Sequence, residues 1–94
     1  MPIPSAHLKD LYKLFASVES ECEAEKLLKD ILTPQELASV AERWQLVQKL
    51  SSGEPQRNIS KDLHVSISKI TRGSRMLKYG GGGFKYFLKK LHKP

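Results

Sequence analysis

The stretch that most restricts the fold of this chain is QRNISKDLHVSISKITR, residues 56–72. Ile59 and Leu63 recur at helical spacing before a three-residue break, His64-Val65-Ser66, and Ile67 and Ile70 do so after it. Two helices joined by so short a turn must cross steeply. The crossing needs a small residue, which Ser60 supplies, and apolar residues to lock the pair, which Ile59, Leu63, Val65 and Ile70 supply. The first turn position in such a pair takes positive φ and is commonly glycine. Here it is His64, and histidine tolerates that region better than most residues. The spacing predicts a helix over about 56–63, a cap at Ser66 and a second helix over about 67–78, with Ile67, Ile70, Ser74 and Leu77 facing inward. This is a helix-turn-helix.

The remaining segments also read as helices, and nothing alternates at the strand period. Residues 6–19 place Leu8, Leu11, Leu14, Phe15 and Val18 on one wide stripe, and residues 22–31 repeat the pattern weakly with Leu27, Leu28 and Ile31. The clearest boundary is LTPQEL, where Thr33 caps, Pro34 fits the first helical position and Glu36 completes a T-x-x-E capping box. That third helix runs through Val40, Ala41, Trp44, Val47 and Leu50 and stops at SSGEP. The glycine run 80–83 ends the fifth helix. A last helix, 84–92, carries Phe84, Phe87, Leu88 and Leu91 on one side and Lys85, Lys89 and Lys90 on the other. The expected fold is all-α: one six-helix domain over residues 1–94.

Charge supplies the first functional clue. Residues 1–54 hold six Lys/Arg against nine Asp/Glu, whereas residues 55–94 hold ten against one, Asp62, making up the overall +6. A basic half beside an acidic half points to a polyanion-binding surface. On a helix-turn-helix, the second helix would lie in the major groove of duplex DNA with its first turns against base edges. Ile67, Ser68, Lys69, Thr71 and Arg72 would then face the DNA, with Gln56 and Arg57 opening the preceding helix. Arg57 is suited to a bidentate guanine contact. The plainer alternative is a helical hairpin with a solvated basic face.

Other classes find little support. Cys22 is the single cysteine, which rules out an intrachain disulfide and favours a reducing, cytosolic setting. MPIPSAHLKD has no basic region followed by an apolar stretch, so no signal peptide is read there. His7, His64 and His92 lack ligand spacing with Cys22, so no metal site is expected. Nothing follows Gly80–Gly83 that would make a phosphate-cradling loop, and no nucleophile–base or paired-carboxylate arrangement suggests an enzyme.

ITRGS at 70–74, LTP at 32–34 and ERWQLVQKLSSGE at 42–54 together resemble the bacterial tryptophan repressor family. The similarity runs from about Leu32 to Leu77. The RGS tail on this helix-turn-helix is the specific part, since most helix-turn-helix proteins lack it. The resemblance implies an interlaced homodimer, with 1–54 as dimerisation helices, 56–79 as the DNA-reading head and 84–92 as a C-terminal helix. It also implies a corepressor, L-tryptophan, whose indole is sandwiched by Arg43 and Arg72. Thr33 would lie near the ligand, Gly73 would leave it room, and backbone carbonyls near Asp30 and Leu32 of the other subunit would receive its ammonium. The sequence departs from the family where GEPQRN is one residue shorter, where a small polar position near the ammonium is Met76, and at the YGGGG connector.

The mechanism so implied is positional. A ligand wedged between Arg43 and Arg72 fixes the tilt of the reading helix, so that two heads meet successive major grooves about 34–36 Å apart. Two alternatives stay open: the same fold with another effector or none, and a basic helical module that binds protein or RNA.

Overall fold

The computed structural model describes residues 2–92. They form six helices and no strand: α1 (Ser5–Ala16), α2 (Glu21–Ile31), α3 (Pro34–Ser51), α4 (Gln56–Leu63), α5 (Ile67–Tyr79) and α6 (Gly83–Leu91). The chain is all-α, as its periodicity predicts. None of these helices is long and apolar enough to cross a membrane. The helices gather into two compact units, one up to Leu37 and one from Ala38 onward.

The first unit is set by its caps. Ser20 Oγ accepts the Glu23 N–H at 3.1 Å, and Glu23 Oε1 reaches back to the Glu19 N–H at 2.9 Å. At the start of α3 the predicted capping box is reciprocal. Thr33 Oγ1 accepts from the Glu36 N–H at 3.1 Å, and Glu36 Oε1 from the Thr33 N–H at 2.8 Å. Helix α1 stops three residues short of the predicted boundary at 19. The Ser17 hydroxyl and N–H both turn back to the Leu14 carbonyl and close the last turn. Neither α1 nor α2 contributes a buried residue, and Leu11, Leu14 and Phe15 stay 39%, 42% and 45% exposed. The apolar stripe of α1 is therefore open.

The second unit has a small, dense core. Val47, Ile59 and Ile70 are fully buried, with Leu46, Val65 and Leu88 nearly so. Leu46, Ile59, Val65 and Ile70 form one cluster with Leu50 and Leu63 packed on it, which ties α3 to the helix-turn-helix. The turn is as the sequence predicts. His64 is left-handed at φ 55°, ψ 43°, Ser60 Oγ donates to the Val65 carbonyl at 2.7 Å, and Ser66 Oγ caps α5 by accepting the Lys69 N–H at 3.2 Å. Lys49, near the end of α3, spans to Glu54 and Asp62 at 3.4 and 3.5 Å and draws the SSGEP loop onto α4.

One inward assignment is corrected. Ile67 is 51% exposed, because the buried line of α5 runs through Ile70 and Gly73. Phe87 and Leu91 are likewise exposed, while Leu88 is buried. Phe84 stacks on Trp44 with ring centroids 6.2 Å apart. The glycine run separates α5 from α6: α5 ends at Tyr79 and Gly82, at φ 88°, caps α6.

Candidate nucleic-acid interface and ligand cavity

The turn that buries Ile59, Val65 and Ile70 leaves the opening turns of α4 and α5 in solvent. Gln56 and Arg57 are exposed on α4, and Ile67, Ser68, Lys69, Thr71 and Arg72 are exposed on α5. The Thr71 hydroxyl is turned back to the Ile67 carbonyl at 3.0 Å. Arg57 and Arg72 have no ion-pair partner among the described residues. The apolar core thus holds out a helix whose N-terminal half exposes Ser68, Lys69, Thr71 and Arg72. That is the chemistry needed to meet phosphates and base edges.

Directly behind this helix lies a cavity of about 340 Å³. Helix α3 brings Arg43 to it, α5 brings Arg72, Gly73 and Met76, and Phe84 closes one side from α6. Its floor is Leu46 and Val47. The fourfold spacing from Arg43 to Val47 and from Arg72 to Met76 puts each pair on one helix face. Arg43, like Arg72, has no ion-pair partner among the described residues. Two unpaired guanidiniums over an apolar floor suit a flat aromatic ligand bearing a carboxylate.

Four of the six ligand residues named from the sequence meet here: Arg43, Arg72, Gly73 and Met76. Leu32 and Thr33 belong to the first compact unit, where the Thr33 hydroxyl is engaged in the α3 cap. Gly73 has a purpose that the sequence reading missed. A Cβ there would come within 2.9 Å of Leu46 Cδ2, so the missing side chain first lets α5 lie close against α3. Glu42, Ser39 and Phe84 were also missed. The signal for the first two was present in the helical period, since Ser39 and Glu42 share the face that carries Arg43. Phe84 follows the glycine run, and its approach to the cavity depends on the turn that run makes.

Glu42 Oε1 also accepts a hydrogen bond from Lys69 Nζ at 3.1 Å, which joins α3 to α5 across 27 residues of sequence. A second, larger groove of about 890 Å³ is lined by Lys49, Lys78, Lys85, Lys89 and His92 around Leu77 and Leu88. Its lysines can hold an anion as point charges, but it presents no planar guanidinium to grip a ring. The smaller cavity is therefore the stronger ligand candidate.

Comparison with known proteins identifies the family. The family model described as Trp repressor protein matches residues 6–92, which takes in all six helices but the first residue of α1. A Trp operon repressor homolog of Chlamydia trachomatis serovar L2 is 38% identical over 84 residues, covering 84% of this chain and 89% of that protein. Homologs of the same name from Mannheimia succiniciproducens and Pasteurella multocida are 43% and 46% identical over 65 and 55 residues, covering 68% and 57% of this chain and 64% and 54% of theirs. No solved structure gives a significant match. With its six helices, its helix-turn-helix and a match over nearly its whole length, the chain belongs to the Trp repressor protein family.

Proposed function

We propose that the protein is a transcriptional repressor that binds operator DNA as a homodimer and takes L-tryptophan as its corepressor. The observation that carries this reading is that Arg43 of α3 and Arg72 of α5, the second helix of the reading head, line one cavity with an apolar floor. An indole between the two guanidiniums stacks on both, and either group pairs with the ligand carboxylate. Because Arg72 belongs to α5, the ligand fixes the tilt of that helix against α3. It acts only through its differential affinity for the DNA-competent orientation. Gln56, Arg57, Ile67, Ser68, Lys69, Thr71 and Arg72 meet the DNA. The open α1 stripe, within residues 1–54, pairs with a second copy, whose backbone near Leu32 is the further ligand contact that the family resemblance implies. A repressor of this kind works in the cytoplasm.

The second reading keeps the fold and the DNA and changes the effector, because Met76 offers no polar group to an ammonium. Titrating two variants with tryptophan and with a palindromic duplex separates the roles. Arg72→Ala is expected to lose both ligand and duplex affinity, while Lys69→Ala loses duplex affinity and keeps tryptophan binding. Unchanged tryptophan affinity in Arg72→Ala removes the pocket from the account.

A further inference from the structure

The glycine run 80–83 is a shaped turn. The Gly80 N–H closes α5 on the Met76 carbonyl at 3.0 Å, and a Cβ at Gly80 would collide with that same oxygen. Gly82 stands at φ 88°, in the left-handed region that favours glycine. Gly81 and Gly83 carry no such demand, since a Cβ at either meets nothing within 4 Å. The turn delivers Phe84, the second residue of α6, half-buried and stacked on Trp44 with ring centroids 6.2 Å apart and planes 26° apart. Met76 and Phe84 line the cavity of about 340 Å³, and they also line a second hollow of about 350 Å³ whose wall includes all four glycines. No other described residue lines both. These two side chains are the partition, with open space rather than packed atoms behind them.

From this geometry we infer that Phe84 fixes how large an aromatic ring the effector cavity accepts, and that Gly80 and Gly82 are its positioning residues. The inference rests on the cavity being the effector site proposed above, and it leaves the ligand's carboxylate and ammonium contacts where that proposal puts them. The two guanidiniums take the faces of the ring. Phe84 meets its edge, an approach that aromatic pairs favour. Met76 alone does not hold such a limit, because an unbranched thioether with three rotatable bonds gives way. The Phe84 ring is held from two directions, by the Trp44 ring stacked on it and by the turn that fixes where α6 begins. A ligand ring too long for the cavity must therefore push Phe84 off Trp44.

The test is calorimetry on the intact protein with L-tryptophan and the three-ring amino acid 3-(9-anthryl)-L-alanine, and the ratio of the two affinities is the readout. Wild type is expected to favour tryptophan by about tenfold or more. Phe84→Ala opens the cavity into the hollow behind it and is expected to shift the ratio toward the anthryl ligand by about tenfold. Phe84→Leu is expected to fall between them, and it keeps enough apolar volume to serve where the alanine variant fails to fold. A folded variant with the wild-type ratio overturns the assignment, because a purely structural residue lowers both affinities together. A wild type that binds both rings equally overturns it as well. Gly80→Ala and Gly82→Ala are expected to shift the ratio in the same direction as Phe84→Ala, while Gly81→Ala, with open space around its Cβ, leaves it unchanged. Equal behaviour of the three alanine variants overturns the positioning role. Wild-type protein that binds neither amino acid defeats the effector-pocket reading and this inference with it. Unchanged ratios in protein that binds tryptophan defeat this inference alone.

Discussion

Single residues decide the angle of the reading head. His64 holds the turn in left-handed backbone at φ 55°, where a side chain with Cβ costs about 1–2 kcal/mol. Glycine removes that cost and adds back up to about 1 kcal/mol of unfolded-state entropy. His64→Gly is therefore expected to stabilise the fold by about 0.5–1 kcal/mol, and His64→Val to destabilise it by more than 1 kcal/mol, measured by urea unfolding. Ser60 matters through its size at the crossing and its bond to the Val65 carbonyl. At Gly73 two effects oppose each other. Alanine gains about 1 kcal/mol of helix propensity, but its Cβ would meet Leu46 Cδ2 at 2.9 Å in a close-packed contact. Overpacking costs typically about 1–3 kcal/mol, so Gly73→Ala is expected to lower stability by about 1 kcal/mol net, with a matching fall in thermal midpoint.

At the scale of elements, caps and core were legible in the sequence to different degrees. Thr33, Glu36, Ser66 and the His64 turn were all readable, because capping and turn chemistry act within three or four residues and leave a local signature. Thr33→Ala removes one half of the α3 box and is expected to cost about 1 kcal/mol, checked by the same unfolding measurement. The inward face of α5 was harder to read. Ile67 has the periodicity of a core residue, yet it lies one turn before the stretch that α3 covers, and Gly73, with no side chain to signal burial, lies against Leu46. Glu42 escaped notice for a related reason: its partner Lys69 is 27 residues away, a distance over which sequence spacing carries no information. Arg43 and Arg72 were named from the family resemblance, and that they line one cavity follows from α3 packing on α5.

For the whole molecule, the open stripe of α1 is the feature that most needs a partner. Leu11, Leu14 and Phe15 keep about two-fifths of their surface in water, which a helix of a finished core does not do. If that stripe pairs with a second copy, Phe15→Glu is expected to leave a monomer in sedimentation experiments and to abolish binding to a two-site duplex while the head stays folded. A wild-type thermal midpoint that rises with protein concentration is the companion result expected of a dimer. The central claim, that Arg43 and Arg72 frame an effector pocket coupled to the reading helix, has a more direct test. Purified protein titrated with L-tryptophan in a calorimeter, with L-phenylalanine as control, is expected to bind one ligand per chain and to prefer the indole. Absence of saturable heat with tryptophan, in protein shown to be folded and dimeric, would contradict it.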